Sequence, residues 1–241
     1  MISKNQIKFI QKLQQKKHRN QLQKFVVEGK KSILEFLTEG YAAQELFVTE
    51  TFAKTIDKEQ YTLVAKEELR KISSLTNPDD GLAVFSMPIL APIDERGLLL
   101  ALDNLQDPGN LGTIIRLCDW FGITQLICNT DTVDCYNPKV VQASMGSLAR
   151  VKLYYLPLAD FLARTSLPII TTTMQGENLY TASLPTDAIL VMGNEANGIS
   201  QSILQLSTKT ITIPRFSQTT RTESLNVATA TAILLSEFRR R

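Results

Sequence analysis

Short apolar blocks alternate with helical spacing over the first ninety residues. Ile7, Ile10 and Leu13 fall on one side of an otherwise basic helix. Phe25, Val26 and Val27 read as a strand, and Ile33, Leu34 and Leu37 as a helix closed by Gly40. Further strands are predicted at 45–49, 61–65 and 82–85, with a helix over 67–75 between the last two. This is the pattern of a small α/β domain covering residues 1–90. A break follows at 87–97, where Pro88 and Pro92 precede Asp94, Glu95 and Arg96. Beyond it the strands become continuous apolar runs, at 98–102, 125–128, 168–172, 188–192 and 210–213. Helical segments separate them, which predicts a mostly parallel sheet covered on both faces, in a second domain spanning 97–241.

Composition narrows the chemistry. The 241 residues are 44% apolar and 21% charged, the balance of a soluble globular protein. His18 is the only histidine, so a histidine zinc site is excluded, as is any Ser-His or Cys-His triad built without it. Cys118, Cys128 and Cys135 are too few and wrongly spaced for a zinc ribbon or a redox pair, and their odd number fits a reducing, cytosolic setting. No metal is expected. No apolar run approaches the roughly 18 residues a membrane span requires, and the basic residues 1–12 lack the apolar middle of a signal peptide. The expectation is a cytoplasmic protein without a membrane partner.

Charge is unevenly placed. Residues 1–31 hold nine lysines and arginines against Glu28 alone, a net +8, while the rest of the chain carries −6. A basic head on an acidic chain suits a phosphate-bearing partner, with Lys16, Lys17, Arg19 and Lys30 as candidate RNA contacts. The same lysines equally describe the solvated face of an amphipathic helix.

Three strand-to-loop segments could carry chemistry. In the first, a strand ends in Asp103-Asn104 and reaches Asp107-Pro108-Gly109-Asn110-Leu111-Gly112, with Arg116 about one turn into the following helix. The carboxyl end of a strand is where an open α/β sheet presents polar groups to a ligand, although an ordinary connection would look the same. The second is Gly193-Asn194-Glu195-Ala196-Asn197-Gly198, with Ser200 placed to cap the next helix. No Gly-Lys-Ser/Thr follows and the Gly-x-Gly-x-x-Gly pattern is absent, which disfavours nucleoside triphosphatases and dinucleotide enzymes. The third runs from Ile213-Pro214 to Ser224-Leu225-Asn226, where Ser224 or Asn226 can cap a terminal helix.

Taken together, Asn104-x-x-Asp107-Pro108-x-Asn110-x-Gly112-x-x-x-Arg116, Gly193-x-Glu195-x-x-Gly198, and Ile213-Pro214 with Ser224-Leu225-Asn226-Val227-x-x-Ala230 resemble the three signature motifs of the SpoU (TrmH) family. These are RNA ribose 2'-O-methyltransferases of the SPOUT superfamily. The stretch from Asn137-Pro138-Lys139 to Gly146-Ser147-Leu148 resembles the family's connecting segment, and residues 1–90 the substrate-binding domain that precedes it in many members.

The resemblance implies a SPOUT domain whose C-terminal portion is threaded into a deep trefoil knot, working as a homodimer. It implies S-adenosylmethionine as cofactor, with contacts carried over to Thr172, Gly193, Ile213, Pro214 and Leu225, and RNA as substrate; the separate leading domain leans the target toward large-subunit (23S) ribosomal RNA, with transfer RNA as the alternative. Catalytic roles carry over to Arg116, Ser224, Asn226, Asn110 and Glu195. The family assigns Arg116 the activation of the ribose hydroxyl. A guanidinium does not give up its proton at ordinary pH, so a role in clamping phosphate and stabilising developing alkoxide charge is preferred. Asn110 and Glu195 are expected to brace loops, and Ser224 and Asn226 to orient the hydroxyl or Arg116. One departure from the family pattern is the stretch between Ile213-Pro214 and Ser224, which is somewhat long and has no glycine. Its Arg215 and Arg221 could contact phosphate or solvent. Two other classes compete with the methyltransferase: a non-catalytic RNA-binding or ribosome-assembly factor on the same scaffold, and a small-molecule transferase.

Overall fold

The computed structural model describes residues 2–56, 61–217 and 224–240. Its first elements are α1 (Lys4–Lys12), α2 (Lys16–Leu22), β1 (Lys24–Glu28), α3 (Lys30–Thr38), β2 (Ala43–Val48), α4 (Glu50–Ala53), β3 (Thr62–Leu63), α5 (Lys66–Leu69) and β4 (Gly81–Ser86). Next come β5 (Leu98–Leu102), α6 (Pro108–Trp120), β6 (Gln125–Asn129), α7 (Pro138–Ser144), β7 (Lys152–Leu156) and α8 (Leu158–Leu162). The chain finishes with β8 (Ile169–Asn178), β9 (Ala188–Met192), α9 (Gln201–Leu204), β10 (Lys209–Thr212) and α10 (Val227–Arg240). Two compact units result, Met1–Leu90 with Asp134–Arg150, and Ala91–Val133 with Val151–Arg241. Residues 134–150, which the sequence pattern assigns to the second domain, pack with the first unit.

The first unit is a four-stranded sheet in the order β1-β4-β2-β3, antiparallel except for the short β2–β3 pair. Both faces are buried, so its strands alternate between two cores. Val26, Phe47, Leu82 and Val84 share one core with Ile10, Leu13, Leu69 and Ile72. On the other face Phe25 packs against Phe36, Phe85 and Tyr136, with ring centroids 5.5, 6.0 and 4.4 Å apart. Tyr136 belongs to the returning segment, which a buried ion pair also ties down. Arg19 is 2% exposed. Its guanidinium donates to Asp134 Oδ2 from Nε at 3.1 Å and Nη2 at 2.5 Å, and from Nη1 to the carbonyls of Leu13 and Gln14 at 2.9 and 2.8 Å. Arg19 is therefore not an RNA contact: every face of its fork is satisfied inside the fold.

The second unit is a six-stranded sheet in the order β10-β8-β9-β5-β6-β7, parallel at every pairing. Its central strands β5 and β9 are buried along their whole length, as their unbroken apolar runs require. One face is covered by α8 and α9, with Leu158, Leu162 and Ile203 in a core beside Leu99, Ala101, Ile189 and Val191. The helices α6 and α10 pack on each other, burying Leu111, Ile114 and Ile115 of one and Leu234 and Leu235 of the other. All carboxyl ends of the strands share one sheet edge.

Local departures from the pattern have local causes. The helix expected over 67–75 is shorter, Lys66–Leu69; the chain goes on in turns to Ser73, where the Ser73 and Ser74 hydroxyls donate to the Glu28 carboxylate and lead it away. Strand β7 lies at the sheet edge, half-buried, so it lacks the continuous apolar run that marks its neighbours. Strand β8 runs on to Asn178 because its pairing with β10 jumps from Thr171 to Glu177 while β10 advances from Thr210 to Ile211, leaving 172–176 looped out. Among the described residues no helix is long and apolar enough to cross a membrane.

Removing one partner of the Arg19–Asp134 pair strands the other charge in the interior. Arg19→Ala or Asp134→Ala is expected to destabilise the protein by about 3–5 kcal/mol, and the apolar double exchange Arg19→Met/Asp134→Leu by much less. Urea unfolding followed by fluorescence measures both.

Candidate functional site

Parallel strands bring the three singled-out segments to the same edge of the second unit. The loop after β5 begins with Asp103, 2% exposed. Its carboxylate accepts from the Ser200 N–H at 2.7 Å and from Asn129 Nδ2 at 3.1 Å, joining the loops after β5, β6 and β9. Ser200 stands at the N-cap of α9 as expected but makes no side-chain cap; its main chain is committed to Asp103. Asn104 follows with φ of +59°, its carbonyl accepting from Asn194 Nδ2 at 2.7 Å. The Asn104 side-chain oxygen is buried without a partner among the described residues.

The loop after β9 closes on itself. Asn194 and Gly198 exchange main-chain hydrogen bonds at 2.8 and 2.9 Å, and Asn194 Oδ1 accepts from the Ala196 and Asn197 N–H groups. Gly193 is required by this closure, since a Cβ there would lie 2.6 Å from the Ile199 nitrogen. Glu195, at the tip, reaches across to the first segment. It accepts from Asn110 Nδ2 at 3.1 Å and from the N–H groups of Asp107 and Gln106 at 3.3 and 3.4 Å.

Asn110 also receives the third segment, its Oδ1 accepting from Asn226 Nδ2 at 2.9 Å. Asn226 in turn caps α10 through Oδ1, taking the Ala228 and Thr229 N–H groups at 2.9 and 3.2 Å. Asp107 caps α6 likewise, accepting from Asn110 N at 2.7 Å, with Pro108 at the first helical position. Glu195, Asn110 and Asn226 thus form one hydrogen-bonded line through all three segments.

Arg116 and Ser224 stand outside that line. Arg116 is exposed on α6 in a stripe with Gly109, Thr113 and Trp120, about 9 Å along the axis from Asn110. Among the described residues neither the Arg116 guanidinium nor the Ser224 hydroxyl has a hydrogen-bond or ion-pair partner. Cys118, two residues further along the same helix, is fully buried, and desolvation pushes its thiol far above the usual range, so it stays neutral and inert.

The expected cofactor contacts sit at adjacent strand ends. Thr172 opens the looped-out part of β8 and donates to the Val191 carbonyl at 3.1 Å; Gly193 follows β9; Ile213 and Pro214, half-buried, follow β10. In the sheet these strands lie side by side as β10-β8-β9. Leu225 is 49% exposed and Met174 is exposed as well. Neutral backbone-lined loops with apolar side chains fit a nucleoside-bearing ligand held by main-chain groups. Arg215 is exposed, and Arg221 lies outside the described residues. In the first unit, Lys16 and Lys17 are exposed on α2, whereas Lys30 is half-buried with its ammonium 5.9 Å from the Phe52 ring centroid. Sequence reasoning missed Asp103 and Asn194 as site-builders. A charged residue directly after a continuous apolar strand was the available signal for Asp103.

Residues 97–236 match the SpoU rRNA Methylase family, and residues 4–83 match the MRM3-like substrate binding domain. The 23S rRNA (guanosine(2553)-2'-O)-methyltransferase RlmP of Bacillus subtilis is 29% identical over 98% of this chain and 97% of its own. The chain spans 66% and 62% of the length of two other curated relatives. Among solved structures, a TrmH-family protein from Porphyromonas gingivalis superposes with a TM-score of 0.92 at 41% identity, covering 100% of this chain and 99% of that one. The AdoMet-bound rRNA methyltransferase from Sinorhizobium meliloti gives 0.87 at 29% identity, covering 100% and 97%.

Asp103→Ala leaves the Ser200 N–H and the Asn129 amide without their acceptor. The expected loss is roughly 2–5 kcal/mol of stability, by analogy with other stranded buried donors, and denaturant unfolding measures it.

Proposed function

The chain belongs to the SpoU rRNA methylase family, and on that premise we propose that it transfers a methyl group from S-adenosylmethionine to a ribose 2'-hydroxyl of 23S ribosomal RNA. The observation that carries this reading is the convergence of all three motif segments through Glu195, Asn110 and Asn226, on a frame whose exposed Arg116 has no polar partner among the described residues.

S-adenosylmethionine supplies an electrophilic methyl on a cationic sulfur. The residues that would hold it are Thr172, Gly193, Ile213, Pro214 and Leu225, with main-chain groups at the ends of β8, β9 and β10 taking the polar edges and Leu225 an apolar face. The ribose oxygen would attack the methyl carbon as the methyl–sulfur bond breaks and the sulfur leaves as a neutral thioether; the hydroxyl proton passes to solvent water, and negative charge builds on the oxygen on the way. Arg116 answers that charge: it binds the neighbouring phosphate and steadies the developing alkoxide, as a fixed donor at the reacting centre does. Glu195 accepts from amides of the first segment through both its oxygens. With Asn110 it holds the first two segments in register. Asn226 anchors the third, and Ser224, exposed two residues earlier, orients the hydroxyl.

The same reading includes a homodimer and the knotted threading of the second unit. Trp120, 84% exposed at the end of α6, offers apolar surface for a partner copy. The order β10-β8-β9 has the last strand return past β9 to flank β8, as a threaded tail would. A cytoplasmic location accompanies a ribosomal substrate, and the exposed Lys16 and Lys17, together with Lys30, add phosphate contacts in the first unit.

Arg116→Ala is expected to lower methyl transfer at least about a hundredfold, the scale of losing one charge-stabilising donor, while calorimetry shows S-adenosylmethionine bound nearly as before. Incorporation of labelled methyl into total RNA, followed by ribose-methylation mapping, reads activity and target together. Ordinary turnover in the variant removes Arg116 from the reaction, and a mapped transfer RNA position replaces the ribosomal target.

A further inference from the structure

A groove of about 580 Å3 opens in the first unit, within the range that holds small ligands. Four carboxamides line it, those of Gln14, Asn77, Asn137 and Gln142, and Lys139 is its one charged lining residue. Leu75 and Pro138 add apolar surface. Among the described residues the side chains of Gln14, Asn77, Gln142 and Lys139 have no polar partner.

The backbone that carries these groups is nevertheless fixed. Glu28 accepts from Ser74 N and Oγ at 2.9 and 2.6 Å and also from the Ser73 hydroxyl, which sets the turn leading to Asn77. On the opposite wall Asn137 caps α7, its Oδ1 accepting from Lys139 N at 3.0 Å, and its own N–H donates to the Asp134 carbonyl. Asp134 is in the grip of Arg19, whose Nη1 also holds the Leu13 and Gln14 carbonyls and so positions the third piece of the lining. Unsatisfied donors and acceptors thus stand on a rigid frame.

A carboxamide presents a donor and an acceptor side by side, the complement of a nucleobase edge. Such edges are free only where RNA is unpaired. With one cation and no acid in the lining, the groove accommodates a single phosphate. Resting on the RNA-methylation reading, we infer that this groove binds one unpaired nucleotide of the RNA substrate, with the carboxamides on the base edge and Lys139 on its phosphate. An acidic peptide would call for more than one cation.

The test uses the full chain, a fluorescein-labelled single-stranded RNA of mixed sequence, and the same strand annealed to its complement. The double variant Asn77→Ala/Gln142→Ala is expected to lose roughly tenfold or more in single-strand affinity, the scale of a lost bidentate base contact, with duplex affinity held within about twofold. Lys139→Gln is expected to lower the salt slope by about one phosphate's worth. Asn77 and Gln142 are exposed, so these changes leave the core intact. The inference is overturned by a double variant that binds the single strand as the parent does, or that loses both affinities alike. Calorimetry with S-adenosylmethionine on the same preparations separates the two readings. A parent that binds RNA selectively through the groove but takes no cofactor overturns the methyl-transfer reading alone. Cofactor binding with unchanged RNA affinities in the double variant overturns the groove alone.

Discussion

The site depends on one constraint, that every strand of the second unit runs the same way. Parallel pairing puts the carboxyl ends of β5, β6, β8, β9 and β10 on a single edge, so segments near residues 104, 194 and 226 converge without any long-range design in the loops. Convergence alone would leave floppy connections. Asp103 removes that freedom, because one buried carboxylate takes donors from two other loops. A hydrogen bond to a charged acceptor contributes about 1.5–3 kcal/mol, more than a neutral one, and stranding its donors costs more still.

The polar side chains there divide into those already satisfied and those still open. Glu195, Asn110, Asn226, Asn194 and Thr172 each have their capacity engaged by neighbouring segments. Arg116 and Ser224 are displayed by that frame with no polar partner among the described residues, and Leu225 is exposed beside them in sequence. A frame that is satisfied before the ligand arrives needs little rearrangement when charge develops, which is the physical content of electrostatic preorganisation. The groove of the first unit repeats the division, with Glu28, Arg19 and Asp134 engaged and, among the described residues, the carboxamides of Gln14, Asn77 and Gln142 open.

Continuous apolar runs revealed the buried strands β5, β6 and β9, because burial on both faces leaves no room for polar alternation. Edge strand β7 escaped for the opposite reason: half-exposed tyrosines carry no such signature. The family resemblance grouped Asn110, Glu195 and Asn226 as one expected site, and the fold joins the three by hydrogen bonds. The resemblance could not say which of them touch, since their pairings span 85 and 116 residues. Arg19 shows the same limit. Within a run of lysines it reads as one more cation, and only a partner 115 residues away turns it into an internal brace. Lysines cannot make that exchange as readily, because a single ammonium lacks the planar fork that engages a carboxylate and two carbonyls at once.

That contrast bears on Arg116. An arginine paired with a carboxylate must break the pair before it can bind phosphate, and it then leaves an anion beside a polyanionic substrate. Arg19 is held in this way and is lost to RNA. Arg116 is oriented by its place on α6, whose capping by Asp107 and Pro108 fixes the helix start. A guanidinium held by backbone geometry alone gives up only loosely bound water when it meets a phosphate, and its fork remains whole for the phosphate oxygens. The position on the helix, more than the residue type, separates the braced arginine of this chain from the open one.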